Sequence, residues 1–214
     1  MEAIFFDVGE TLVDETAVWG AWADWLGVTR LTFFAALGAV LVGGGDHRDV
    51  FRLVRPELDF AEAARQRGVE EEGFTLTDLY PDALPSLSAL STRGYRIGIA
   101  ANQPARVDAV LRASGLPFDW LLISELEGVQ KPAPAFFERI VEVTGLQAGS
   151  IAYVGDRVDN DVVPAHNAGL VAVHVRRGPW GVIQSERSEV EVAALRVASL
   201  QELVARVGEL GRRF

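Results

Sequence analysis

Lys131 is the single lysine in a chain whose other nineteen cationic side chains are arginine. An ammonium is a compact point charge where a guanidinium is a planar fork, so one retained lysine suits a task such as neutralising a transferring phosphoryl group. Compositional drift toward arginine accounts for it equally well. The lysine lies in Gly128-Val129-Gln130-Lys131-Pro132-Ala133-Pro134, too rich in glycine and proline for the interior of a helix or strand, and reads as a loop at an active-site rim. Carboxylates gather elsewhere. Asp7 ends the apolar run from Ala3, and Asp156, Asp159 and Asp161 fall within six residues after the run from Ile151. Converging carboxylates repel one another unless a cation neutralises them, and hard oxygen donors of this kind suit magnesium. A solvated acidic turn capping a helix at Asn160 or Asp161 is the plainer reading of the second cluster.

The elements that would carry these groups follow from pattern. Five short apolar runs read as strands, at residues 3–7, 95–101, 120–124, 151–155 and 171–175. Helical patterns at 104–114, 134–144 and 160–168 separate the last four and stop at Gly115, Gly145 and Gly169, residues suited to a left-handed cap. This alternation predicts an α/β fold, a doubly wound parallel sheet covered on both faces. In such sheets ligands bind at the C-terminal strand edge, where Asp7, Ala101 and Asp156 fall.

Asp7-x-x-x-Thr11, Ala101-Asn102, Lys131-Pro132 and Gly155-Asp156 with Asp161 occur in this order, each beside an apolar strand candidate. The chain thereby resembles the haloacid dehalogenase superfamily from residue 3 to about Val175. The resemblance implies a Rossmann-like core, residues 1–13 and 80–214, with strand order 3-2-1-4-5, and a helical cap at 14–79. It implies a Mg²⁺-dependent phosphatase-like hydrolase acting on a small phosphorylated substrate. Asp7 would be the nucleophile that forms an aspartyl-phosphate and Lys131 its catalytic and substrate-binding cation. Thr11 and the Asn102 backbone amide would bind substrate, and Asp7, the Gly9 carbonyl, Asp156 and Asp161 would hold the metal, Asp161 through water.

Two positions depart from the family pattern. Gly9 stands where phosphatases of the family carry a second aspartate, the general acid and base, and Ala101 stands where a serine or threonine is usual. Glu10 is expected to point away and not to substitute. Two other readings stay open: a metal-independent 2-haloacid dehalogenase, and a non-catalytic protein that keeps the fold for binding or regulation. Cleavage of phosphonates is excluded in this family because residues 14–79 contain no lysine for a Schiff base.

Composition restricts the rest. Of 214 residues 49% are apolar and 23% charged, which fits a globular chain with one large core and a smaller insert. A net charge of −10 opposes broad contact with nucleic acid, and the apolar stretch Leu31–Gly45, fifteen residues with four glycines, is short of the roughly twenty needed to cross a bilayer. That stretch reads as a buried helix running into a turn. Glu2 and Asp7 do not fit a secretion signal, so the cytoplasm is the expected location, and the lack of cysteine is compatible with it. Gly43-Gly44-Gly45 lacks the lysine and serine of a phosphate-binding loop.

Residues 14–79 are helical in pattern, with Trp19, Trp22 and Trp25 as an aromatic stripe. Simple packing is the preferred explanation of the stripe. An apolar leaving group bound by the cap and a homodimer contact through it are the alternatives. His47, His166 and His174 lack metal spacing and read as structural. Gly178-Pro179-Trp180-Gly181 reads as a turn, 200–210 as a last helix, and nothing beyond Val175 is expected to carry chemistry.

Overall fold

The computed structural model describes residues 1–68 and 74–211. The chain divides into two compact units, one built from Met1–Asp14 and Leu79–Phe214, the other from Glu15–Asp78.

The first unit holds a parallel sheet of β1 (Ala3–Phe6), β2 (Arg96–Ala101), β3 (Trp120–Ile123), β4 (Ile151–Gly155), β5 (Val171–Val175) and β6 (Leu195–Val197), in the order β3-β2-β1-β4-β5-β6. The five expected strands are present, and β6 adds a sixth at the edge. Its three residues are too few for an apolar pattern to announce them. β1 is central and fully buried, Phe6 pairing with Ile99 on one side and Val154 on the other. Hydrogen bonding on both flanks anchors its C-terminal end.

In the second unit, α1 (Thr16–Trp25), α2 (Arg30–Val42), α3 (Asp49–Val54) and α4 (Phe60–Arg67) pack around rings. Trp22 meets Phe51 edge-on at 4.9 Å, Phe51 meets Phe60 at 5.1 Å, and Trp19 stacks on Phe33 at 6.2 Å. Trp19 and Trp22 are thus core residues, while Trp25 is exposed. Thr29 caps α2 and Asp59 caps α4, each accepting from the amide three residues on. α2 corrects one expectation, since only Phe33, Leu37 and Leu41 are buried and Leu31 is 81% exposed. A helix apolar all round gives no indication of which face packs. No single helix among the described residues is long and apolar enough to cross a membrane.

The first unit continues with α5 (Ala83–Thr92), α6 (Val107–Ala113), α7 (Ser124–Glu127), α8 (Pro134–Thr144), α9 (Val163–Asn167), α10 (Gly178–Gln184) and α11 (Leu200–Arg206). α8 begins on a proline and ends at left-handed Gly145, as its sequence dictates. Its Phe136, Phe137 and Ile140 join Phe5 and Tyr153 in the core on one sheet face. α5 packs on β2, with α11 against α5. Two expectations are corrected here. The helix foreseen at 160–168 is a wide π-type turn, Val158–Val162, followed by the shorter α9. Residues 178–181 open α10 instead of forming a turn, because Pro179 in the first helical turn needs no amide partner.

The sheet depends on one close approach. Gly98 sits between Phe5 and Trp120 in register, and a Cβ there would lie 2.2 Å from the Phe5 ring, which stacks on Trp120 at 5.6 Å. Gly98→Ala must displace that ring from a packed core. A loss of about 1–3 kcal/mol is expected, read as a lower urea midpoint at unchanged m; an unchanged midpoint would contradict the packing described.

Candidate active site

Asp7 extends the ladder of β1 by one bond, its amide donating to the Val154 carbonyl at 2.9 Å. The chain then turns sharply. The Val8 carbonyl accepts from the amides of Thr11, Leu12 and Val13, and Glu10 takes a left-handed φ of 52°. The backbone thereby places Asp7 at the sheet edge.

Lys131 arrives from the loop before α8 and is 2% exposed, deeper than the rim position expected. Its ammonium lies 2.7 Å from Asp7 Oδ1 and 2.6 Å from Asp161 Oδ1. The Asn102 side chain clasps the lysine backbone, accepting from its amide and donating to its carbonyl, both at 2.8 Å. Tyr153 presents its ring to the ammonium at 5.5 Å and donates its hydroxyl to the Ala100 carbonyl at 2.7 Å. A buried ammonium is stable only if its partners outweigh the lost hydration. Burial disfavours this one, but Asp161 and then Asp7 outweigh it and hold the Lys131 pKa well above its ordinary value.

The acidic cluster follows β4. One carboxylate oxygen each from Asp7, Asp156 and Asp161 lie within 4.8 Å of one another. Asp161 also accepts from the Arg157 amide at 3.0 Å, inside the π-type turn. A side chain on Gly155 would meet the Asp161 carboxyl at 2.5 Å, so the glycine in Gly155-Asp156 is a steric requirement. The Asp156 carbonyl accepts from His174 Nε2 at 3.0 Å, which assigns the proton to that nitrogen. Burial lowers the His174 pKa and keeps the ring neutral.

Asp156 Oδ2 is buried without a hydrogen-bond partner. Burial, then Asp161 and Asp7, push the Asp156 pKa well up; burial and Asp7 push Asp161 to about 6 against the pull of Lys131. Three hard carboxylates, one with an unused oxygen, share one ammonium. A divalent hard cation such as Mg²⁺ fits this donor set.

The remaining positions divide. Thr11 is fully buried and its hydroxyl makes none of the local hydrogen bonds expected of it, while its carbonyl accepts from Arg177. Ala101 closes β2 with no hydroxyl, and Gly9 bridges to Val13. Glu10 is 4% exposed and accepts from the Tyr80 hydroxyl at 2.6 Å. Sequence reasoning missed the lysine–Asp161 pair, the Asn102 clasp, Tyr153 and His174. Of these only Tyr153 left a trace, a hydroxyl inside an apolar strand that needs a partner.

The electrostatics generate a pH signature. A carboxyl with a raised folded pKa stabilises the fold at low pH and loses that contribution as pH rises, here from about 4 through about 6 for Asp161. The loss amounts to roughly 3 kcal/mol per two-unit shift. Bound Mg²⁺ would favour the ionised carboxylates. The gain in urea midpoint on replacing EDTA by Mg²⁺ should therefore grow between pH 4.5 and 7; a gain independent of pH would refute the assignment.

A family model for haloacid dehalogenase-like hydrolases matches residues 1–169. The Glyceraldehyde 3-phosphate phosphatase of Methanopyrus kandleri is 32% identical over 137 residues, 62% of this chain and 58% of that protein. Its namesake from Pyrococcus abyssi is 28% identical over 196 residues, 83% of this chain and 82% of that protein. The chain spans little more than half the length of the first relatives it matches. The crystal structure of a HAD phosphatase from Thermococcus onnurineus superimposes with a TM-score of 0.61 at 24% identity, covering 98% of this chain and 99% of that one. Solved dehalogenases share the fold as well. A family match over residues 1–169, and a buried lysine joining Asp7 and Asp161 in the same order as the family motifs, place the chain among the haloacid dehalogenase-like hydrolases.

Proposed function

We propose that the protein is a Mg²⁺-dependent phosphatase in which Asp7 is the nucleophile. The supporting observation is the asymmetry of the acidic cluster. The Asp7 side chain is 10% exposed, while those of Lys131 and Asp161 are at 1% and 0%, so Asp7 is the member of that trio a substrate can reach. With Lys131 on Oδ1, the other Asp7 oxygen attacks phosphorus, the bond to the leaving oxygen breaks, and the leaving group departs with the electron pair. Water then attacks phosphorus, the bond between phosphorus and the Asp7 oxygen breaks to regenerate the carboxylate, and inorganic phosphate leaves while the surplus proton of the water passes to solvent. Asp7, Asp156 and the Gly9 carbonyl, with Asp161 through water, would hold Mg²⁺, which would screen the phosphate charge. Lys131 stays protonated throughout and offsets charge on Asp7 and the equatorial oxygens.

Gly9 supplies neither a proton to the leaving group nor a base for water. General acid–base catalysis is typically worth ~10² to 10⁴ in rate, and the hydroxyl absent at Ala101 about 1 kcal/mol more. Leaving groups that need no proton, aryl and acyl phosphates, are therefore the preferred class. Glyceraldehyde 3-phosphate, named for the relatives, is an alkyl ester and belongs to the poorer one. Metal-independent dehalogenation would leave the unpaired Asp156 oxygen and the carboxylate repulsion unexplained, and a purely binding role would not require a buried lysine between aspartates.

On an aryl phosphate, a pre-steady-state burst is expected because breakdown of the phosphoenzyme lacks a base, with alkyl phosphates turned over at least ~100-fold more slowly. The absence of both would overturn the account. Asp7→Asn should abolish phosphate release; retention of full Mg²⁺-dependent activity would exclude Asp7 as nucleophile.

A further inference from the structure

The turn that carries the Gly9 carbonyl is held from outside the acidic cluster. Arg177 follows β5, and its guanidinium makes three contacts at once. It donates to the Thr11 carbonyl at 3.0 Å and to Asp82 Oδ2 at 2.6 Å, and it covers the Tyr80 ring at 4.1 Å from the centroid. Asp82 is fixed in turn by the amide of Leu200 at 2.9 Å. Tyr80, held under the guanidinium, donates its hydroxyl to Glu10 and its amide to the Leu12 carbonyl at 2.9 Å. Three consecutive residues of the turn, Glu10, Thr11 and Leu12, are thereby each bonded to Tyr80 or Arg177.

Two features mark this as more than general packing. Glu10 is non-glycine in the left-handed region, a conformation that persists only where the surroundings over-determine it. Gly178 makes room for it, because a Cβ there would come within 2.3 Å of Glu10 Oε2. The network also needs an arginine. Arg177 serves Thr11 and Asp82 from two different nitrogens while its plane covers the Tyr80 ring, a span that the single nitrogen of a lysine does not reproduce.

We propose that Arg177 is a positioning residue for the reaction, acting with Tyr80 to lock the Gly9–Leu12 turn and so to fix Asp7 and the Gly9 carbonyl. The inference rests on the reading of Asp7 as nucleophile. It also gives Glu10 a role: its carboxylate is the handle by which Tyr80 grips the turn. On this proposal a residue beyond Val175, where the sequence shows no sign of chemistry, supports the reaction indirectly.

The test compares wild type, Arg177→Lys and Tyr80→Phe in the full chain. The readouts are kcat and KM on p-nitrophenyl phosphate, Mg²⁺ affinity by calorimetry, and hydrogen exchange in peptides covering 7–13 and, as control, 134–144. Arg177→Lys should lower kcat about 10- to 100-fold with KM within about threefold, as small misplacements of reacting groups do. Mg²⁺ affinity should fall about tenfold, and exchange should quicken in 7–13 but not in 134–144. Tyr80→Phe, which keeps the stacked ring, should show the same pattern more weakly. Unchanged kcat and exchange, or equal quickening in both segments, would overturn the proposal. If wild type released no phosphate from any ester, the phosphatase reading would fall, while exchange and calorimetry would still decide whether Arg177 holds the turn.

Discussion

One buried ammonium between two aspartates determines how this molecule can be built. Lys131 is almost wholly removed from water and depends on Asp7 and Asp161 for its charge, while those carboxylates, with Asp156, depend on it in return. Removing either side would strand uncompensated charge in the interior, the case in which a buried pair matters most to stability. Three acids against one base still leave negative charge, and the buried carboxyls register it as raised proton affinity. A divalent cation would complete the balance, so the electrostatic requirement and the proposed chemistry have the same origin.

The fold meets this requirement by placing rigid backbone behind each charge. Asp7 is locked by the central strand, Lys131 by the Asn102 clasp, Asp161 by the π-type turn, and Asp156 through its carbonyl by His174. Glycine does the steric work where chains approach closely, Gly155 beneath Asp161 and Gly98 beneath Phe5. None of these supports is a reacting group. They convert a sheet edge into a site with fixed distances, and fixed distances are what electrostatic catalysis uses.

Family membership does not by itself settle the chemistry, since phosphatases and dehalogenases share this fold. The distinguishing evidence is local. Gly9 and Ala101 remove proton transfer and one hydroxyl donor but leave intact the acids and the lysine that respond to a cation. On the proposed reading the consequence is a change in which leaving groups depart and which step is slow.

The amino-acid sequence determined the parallel sheet and its expected strands, because β1 to β5 are apolar runs separated by helical segments, and in β1, β4 and β5 complete burial imposes that pattern. It also exposed Asp7, Lys131, Asp156 and Asp161, since isolated charges beside apolar runs and a solitary lysine stand out in one dimension. Only the tertiary structure decided that Lys131 bridges Asp7 and Asp161, that Asn102 grips the lysine backbone, and that Glu10, Tyr80 and Arg177 meet although 166 residues separate Thr11 from its arginine. Partners of that kind share no periodicity. They are selected by directional hydrogen bonds between distant segments, and direction exists only once the sheet has fixed where each segment ends.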